Sequence, residues 1–385
     1  MKDKKPINIL FIMNVMELGG SESLILNIIR NLDRSHWNPS VGWFNKKDPL
    51  PEFVELGIPL FHFPKLKRLD LKTMNMIASV IKDNDIQVVN AHHYLSLLYA
   101  FYGSKIANKS ILVYTEHSEA EVCNITGKLR IIGHILARYS DAIIGVTDSI
   151  RNRLIDKYWI NNSKVYSVKN GVDLNIFSSN DVGIYERNNI GLKEKDIAIG
   201  IVANLKYNKN HIYLLRAFSR LVTTYTNLKL IIVGKSFQND IESSEKDIID
   251  YIKNHSLKDN VYLMGFRSDV NRILQLIDIF CLVSYKEGLP ISLIEAMAVG
   301  LPVIGADSVG IRDVISNGEN GFLVKIDDVE DLKNKLAYLI ENPNIRSQYG
   351  KNGREEVIRQ YDIKKCVLSY ETIFMSCLKR NSISI

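Results

Sequence analysis

The chain has 385 residues, 46% of them hydrophobic and 24% charged, a composition that describes a soluble globular protein and excludes a disordered or fibrous one. It is too long for one ordinary core and implies two domains. The net charge of +6 is mild, and no nucleic-acid partner is expected.

The chain opens with MKDKKPINILFIMNVMELGG. Its apolar run is short and leads into Gly-Gly without a small-residue cleavage site, so it reads as a first strand and not as a signal peptide. Further strand candidates are SVGWF (40–44), QVVNAH (87–92), ILVYTEH (111–117), AIIGVT (142–147) and KVYSVKN (164–170). Between them lie amphipathic segments such as ESLILNIIRNL (22–32), whose apolar spacing has the helical period. A second series comprises IAIGIVAN (197–204), LKLIIVG (228–234), VYLMGF (261–266), DIFCLVS (278–284), PVIGA (302–306) and GFLVK (321–325). Near-continuous apolar strands alternating with helices predict parallel sheets covered on both faces. Two such series predict two doubly wound α/β domains facing an interdomain cleft, with SSNDVGIYERNN (178–189) as linker.

The basic excess sits in the first half, where residues 1–178 carry 22 basic and 17 acidic side chains against 27 and 26 in the rest. Its densest patch, KLKRLDLK (65–72), fits either a solvated face or a weak contact with anionic lipid or an anionic acceptor. The four cysteines show no C-x-x-C spacing, which suits a reducing cytoplasm. No stretch reaches the roughly 20 apolar residues of a membrane span.

In open parallel sheets ligands bind beyond the carboxyl ends of strands, so motifs are weighed by whether they follow a strand. After the first strand, Gly19 and Gly20 lead into a helix with Ser21 near its cap. They fit either an anion-binding turn or a tight turn that needs glycine for a positive φ. The sequence DND (83–85) precedes a strand, the wrong end for a metal site, and no spaced His/Cys set suggests zinc. His92, His93 and His117 end strands, with His117 in YTEHSE the best placed. In ANLKYNKNH (203–211), Lys206 and Lys209 stand near a helix start, where cations oppose the dipole unless an anion binds there. In EGLPISLIEAMAVGLPVI (287–304), Ser292-x-x-Glu295 matches a capping box, and Gly300 stops the helix. Glu287 has no such local explanation. It sits past a strand end beside the amides of Gly288, Leu289, Ile291 and Ser292, where a diphosphate would settle while carboxylates accept from sugar hydroxyls.

These residues resemble the family 4 glycosyltransferases, the retaining GT-B superfamily that uses nucleotide-sugar donors. Glu287 and Glu295 form the E-x7-E motif, and VANLKYNKNH, LIIVG, VYLMGFRSDV, LIDIFCLVSYKEGLP and ENGFLV follow in family order. In the first half MELGGSES, YTEHS, DAIIGVTDSIRNRLI and VKNGVDLNIF resemble the acceptor-side loop, the strand-end histidine and the lead into the linker.

The resemblance implies catalytic roles for Glu287 on the donor sugar, Lys209 on the diphosphate leaving group and His117 near the transferred sugar. It implies substrate contacts for Glu295 on the ribose and for the segment Gly288, Leu289, Pro290, Ile291 and Ser292 on the distal phosphate. Gly19 and Gly20 would close on the diphosphate, and the base would sit near Phe266 and Arg267. Asn204 stands where many relatives have arginine, with Lys206 as its substitute. Asp313 stands where glutamate is common, and DSVGIRD keeps one glycine of a usual pair. The C-terminal segment 363–380 is assigned to the first domain, giving residues 1–178 with 363–385 as the acceptor-side domain and 190–362 as the donor-binding domain.

The expected activity is transfer of a hexose or N-acetylhexosamine, with retention, from a UDP- or GDP-linked donor to a glycan or lipid-linked acceptor. It is expected without a metal cofactor, in the cytoplasm or at the inner face of the membrane, in bacterial cell-surface or capsular polysaccharide synthesis. The alternatives are an epimerase or phosphorylase of the same fold and a non-catalytic nucleotide-sugar-binding partner subunit. A nicotinamide dehydrogenase would need a glycine fingerprint after the first strand, which is missing.

Overall fold

A computed structural model describes residues 5–16, 19–44, 48–64, 70–178, 187–236 and 241–381. Most of KLKRLDLK, most of the expected linker and two residues of MELGGSES lie outside these. The chain forms two compact units, residues 1–171 with 363–385, and residues 172–362.

The first unit is a seven-stranded parallel sheet of β1 (Ile7–Met13), β2 (Trp37–Trp43), β3 (Leu60–His62), β4 (Val88–His92), β5 (Ile111–Glu116), β6 (Ala142–Gly145) and β7 (Val165–Ser167), in the order β3-β2-β1-β4-β5-β6-β7. Its helices are α1 (Gly20–Asn31), α2 (Pro51–Val54), α3 (Leu71–Asp83), α4 (His93–Phe101), α5 (Glu119–Asn124), α6 (Gly127–Tyr139) and α7 (Asp148–Tyr158). INILFIM becomes a strand buried at all but one position because helices cover both faces, leaving no side for polar alternation. The short edge strand β3 is the one strand that the sequence pattern does not announce. Its three half-buried residues are too few to show a period.

The second unit is a six-stranded parallel sheet of β8 (Ile197–Val202), β9 (Leu228–Val233), β10 (Val261–Gly265), β11 (Ile279–Leu282), β12 (Val303–Ala306) and β13 (Gly321–Val324), in the order β10-β9-β8-β11-β12-β13. Its helices are α8 (His211–Leu221), α9 (Glu245–Asn254), α10 (Val270–Leu274), α11 (Ile291–Ala298), α12 (Val329–Glu341) and α13 (Pro343–Gln360). The last helix, α14 (Ile363–Arg380), belongs to the first unit. There Phe374 meets Trp37 edge-on at a centroid distance of 5.7 Å.

The expected division at residue 178 is corrected: Val172 already belongs to the second unit. Its amide donates to the Tyr361 carbonyl at 2.8 Å, and the Ile176 carbonyl accepts from Asn271 Nδ2 at 3.4 Å. These bonds tie 172–178 to the second sheet's periphery. In both units the strand order reverses beside the first strand, placing a topological switch point between β1 and β4 and another between β8 and β11.

Candidate active site

The second unit's switch point gathers the two sharpest candidates. Lys209 ends a short 3₁₀ turn, Tyr207–Lys209, that follows β8, and Glu287 lies in the loop after β11. The two strands pair in parallel, so their exit loops are neighbours. Lys209 Nζ donates to both Glu287 oxygens, at 2.7 and 2.8 Å. The side chains are only 20% and 12% exposed, so the pair is held in a sheltered pocket and is not a surface ion pair. The Glu287 amide donates to the Val309 carbonyl at 3.0 Å. Gly310 sits against this loop at φ +82°, and a Cβ there would lie 2.3 Å from the Gly288 carbonyl oxygen. Here the single glycine of DSVGIRD is required both by its backbone angle and by space.

The capping box does not form. The N-cap of α11 is Pro290, with no side-chain cap, so Ser292 is the second helical residue and Glu295 lies beyond reach of the helix start. Glu295 therefore points to something other than capping, and burial pushes its carboxyl up to about 8. The amides of Gly288, Leu289, Ile291 and Ser292 have no hydrogen-bond partner among the described residues, leaving free donors at the positive end of the α11 dipole. The far end of α11 closes as a Schellman motif: Gly300 N donates to Met297 O and Leu301 N to Ala296 O, both at 3.0 Å, with Gly300 at φ +86°.

Four further residues stand on the neighbouring segments. Tyr285 Oη donates to Asp327 Oδ2 at 3.0 Å and Asn210 Nδ2 to Asp327 Oδ1 at 2.8 Å, so Asp327 clips the β11 loop to the start of α8. His211, buried at the start of α8, has neither ring nitrogen satisfied. Burial and the Lys209 charge hold it neutral, down to about 4, although the Ala203 carbonyl lies close enough to oppose them slightly. Sequence reasoning passed over all four residues. For His211 a signal existed: it follows Lys209 by two positions on a strand-exit loop.

Other predicted contacts lie on adjacent exit loops of the same sheet. Ala203 N donates to Val233 O and Gly234 N to Gly265 O, both at 2.9 Å, which aligns Asn204 after β8 with Phe266 after β10. Phe266 is exposed with Lys235 Nζ 4.9 Å from its ring centre. Arg267 is bidentate to Asp269, at 2.8 and 2.7 Å. Lys206 pairs with Glu242 at 3.5 Å.

The first unit's switch point carries Gly19, Gly20 and the histidines. Gly19 is the N-cap of α1 at φ −127°, and neither glycine has a positive φ. A turn demanding left-handed glycine is thereby excluded. A Cβ at Gly19 would lie 2.8 Å from Glu22 Oε2, the end of a side chain that can swing aside.

His117, which follows β5, is buried and linked to β4. Asn90 Nδ2 donates to Thr115 Oγ1 at 3.0 Å and to Val113 O at 3.3 Å, which turns its Oδ1 to His92 Nε2 at 2.9 Å. An amide oxygen only accepts, so His92 carries its proton on Nε2 and offers the Nδ1 lone pair. His117 Nε2, 2.8 Å from that Nδ1, must then be the donor. His117 is fixed as the Nε2–H tautomer with its Nδ1 as acceptor. Burial and the neighbouring His93 charge depress His92 to about 3 and hold His117 well below the usual histidine range, so both rings are neutral.

His93 is the opposite case. Burial acts against its charge, but hydrogen bonds and charges from Glu116 and Glu121 prevail and raise it to about 10. Among the described residues His93, Glu116 and Glu121 form a group with ligand atoms within 4.8 Å of one another. The buried Glu116 is already engaged, however, by Tyr114 Oη at 2.5 Å and by the His117 and Ser118 amides at 2.8 and 2.9 Å. These bonds and the His93 cation satisfy it without a metal ion.

Comparison with known proteins identifies the family and the fold. The family model described as Glycosyltransferase Family 4 matches residues 18–176, and that described as Glycosyl transferases group 1 matches residues 185–356. N-acetyl-alpha-D-glucosaminyl L-malate synthase of Bacillus anthracis is 25% identical over 338 residues, covering 87% of this chain and 86% of that one. UDP-Gal:alpha-D-GlcNAc-diphosphoundecaprenol alpha-1,3-galactosyltransferase of Escherichia coli is 23% identical over 340 residues, covering 85% and 86%. In fold, HepE of Anabaena, solved with UDP and glucose, superposes with a TM-score of 0.84 at 20% identity, covering 96% of this chain and all of that one. The chain belongs to the family 4 glycosyltransferases, enzymes of the GT-B fold.

Proposed function

We propose that the protein transfers a hexose or N-acetylhexosamine, with retention, from a UDP- or GDP-linked donor to a glycan or lipid-linked acceptor, in the assembly of a bacterial cell-surface polysaccharide. The observation that carries this reading is the sheltered Lys209–Glu287 pair beside the unpartnered amides of α11. The bond that breaks joins the sugar anomeric carbon to the diphosphate, through an oxocarbenium-like transition state. Negative charge grows on the departing phosphate, where Lys209 and the amides of Gly288, Leu289, Ile291 and Ser292 stabilise it by several kcal/mol. Glu287 then accepts from the sugar hydroxyls and Glu295 from the ribose. His117 Nδ1 accepts from a hydroxyl of the transferred sugar. The acceptor hydroxyl attacks the anomeric carbon, and its proton passes to the leaving phosphate oxygen.

Support comes from one relative named as an N-acetyl-alpha-D-glucosaminyl L-malate synthase and another named as a galactosyltransferase with UDP-Gal and a diphosphoundecaprenol-linked sugar, and from a fold neighbour solved with UDP and glucose. No metal ion is required in this reading, because Lys209 and the helix amides carry the charge. The reaction takes place in the cytoplasm, at the membrane face where a lipid-linked acceptor would stand.

The test is incubation with UDP- and GDP-sugars, with and without acceptors, reading nucleotide release and thermal shift. Release with at least one donor is expected, together with its loss in Glu287→Ala. Neither release nor thermal shift with any donor would overturn the reading.

A further inference from the structure

Large apolar side chains exposed singly are ordinary on a protein surface, but several aligned on one helix are not. Helix α6, with the sequence GKLRIIGHILARY, presents Ile131, Ile132, Ile135 and Tyr139 to solvent, Ile131 at 64% and Tyr139 at 60% exposure. With the exposed Lys128 and Arg138 they recur at helical spacing, within an arc of about 120°. Trp159, 68% exposed, borders this face: Arg130 lies 4.1 Å from its ring centre and His134 packs edge-on against it at 6.2 Å.

The charged side chains of α6 itself, Lys128, Arg130 and Arg138, are all cationic. On the flanking segments Glu119 pairs with Arg153, Glu121 with His93 and Asp141 with Lys105, while Asp148 and Asp156 on the neighbouring α7 are exposed. The face is also firmly seated. Gly133 leaves room for the Tyr158 ring, and Lys164 Nζ donates to the Ala137 and Ser140 carbonyls at 2.8 and 3.0 Å, closing the helix C-terminus. No helix among the described residues is long and apolar enough to cross a membrane.

We propose that the α6 face docks on an anionic lipid surface, its isoleucines entering the headgroup boundary while Lys128, Arg130 and Arg138 meet lipid phosphates. An apolar stripe on a helix whose Lys and Arg side chains meet no carboxylate of their own helix is the composition of an interfacial segment, and Trp159 and Tyr139 are the residue types that favour the water–lipid boundary. A second protein would have to answer the cations of α6 with carboxylates, and a second copy of this helix has none. None of these residues is one assigned to donor chemistry, and the proposal depends on no choice of donor or acceptor.

The experiment uses the full chain and phosphatidylcholine vesicles with or without phosphatidylglycerol. Two of the three tryptophans, Trp37 and Trp43, are buried, so shifts in emission report Trp159. Co-sedimentation with the anionic vesicles, a blue shift, and quenching by brominated lipid are expected. Ile131→Ser with Ile135→Ser should weaken vesicle binding by about tenfold or more. Lys128→Glu with Arg138→Glu should abolish the preference for anionic vesicles, each charge counting for about fivefold at low salt. Both variants should keep the thermal transition and the donor-dependent nucleotide release. Equal sedimentation of wild type and variants, or no sedimentation of wild type, overturns the proposal. So does a dimer in sedimentation velocity that Ile131→Ser and Ile135→Ser dissolve without any vesicle binding.

Discussion

The ammonium of Lys209 bridges both carboxylate oxygens of Glu287, at 2.7 and 2.8 Å, across the reversal of strand order in the second sheet. Each charge is the other's main compensation until a ligand brings its own. Lys209→Met and Glu287→Gln should each lower kcat/KM for the donor by about 100-fold or more. Because the two act on one ligand, the double variant should be at most about tenfold worse than the weaker single variant. Steady-state kinetics over a donor titration measure this. Fully multiplicative losses would show that the two side chains work independently.

The Asn90–His92–His117 chain makes a spectroscopic prediction. Long-range ¹⁵N–¹H correlation should show His117 neutral, protonated on Nε2 and bare on Nδ1, from pH 8 down to pH 5, because its pKa lies well below the usual value. Accordingly, kcat should show no limb near the ordinary histidine pKa of about 6.5. Asn90→Leu removes the acceptor that orients His92 and should lower kcat about tenfold, with little change in donor KM. A wild-type His117 that titrates near pH 6.5 would refute the arrangement.

Glu295 couples donor binding to protons. Burial raises it to about 8, so in the free protein at pH 7 it is mostly protonated. In the proposed reading Glu295 accepts from both ribose hydroxyls, which the ionised carboxylate does best, so binding at pH 7 should release a proton. Donor affinity should rise as pH increases toward about 8 and level off above it. Calorimetry in buffers of different ionisation enthalpy reads the released proton. The stability effect has the opposite sense: the unfolded carboxyl ionises first, so Glu295 costs stability progressively from about pH 4.5 to 8. Glu295→Gln should thus raise the thermal transition at pH 8 more than at pH 5.

Gly310 tests the support behind Glu287. A methyl group at φ +82° would meet the carbonyl oxygens of Gly288 at 2.3 Å and Glu287 at 2.7 Å. Gly310→Ala should cost about 2 kcal/mol of stability and raise donor KM severalfold. Thermal melts and donor titrations measure the two effects. Unchanged donor KM would mean that the loop after β12 does not position Glu287.

Much of this was legible beforehand because parallel strands covered on both faces announce themselves as apolar runs, as INILFIM and DIFCLVS do. Their carboxyl ends then pointed to Lys209, Glu287 and His117. What was not legible depended on register and on tertiary packing. Ser292 and Glu295 have capping-box spacing, but Pro290 takes the N-cap and moves both residues off register. Gly19 and Gly20 left open an anion-binding turn or a left-handed one, and only the backbone shows that neither has a positive φ. His92 and Asn90 alternate along one strand and look like any pair of inward polar residues. Only the pairing of β4 with β5 brings them to Thr115 and His117.

Helix α14 makes the first unit discontinuous in sequence while the second is an unbroken run. During synthesis, residues 172–362 can complete their own sheet before the ribosome has released the segment that carries Tyr370 and Phe374. The Trp37–Phe374 packing of the first unit is completed only by that segment. A chain cut before residue 363 would keep all of the second unit while the first unit lacked the helix that covers Trp37, and such an uncovered apolar surface invites chaperone capture or proteolysis.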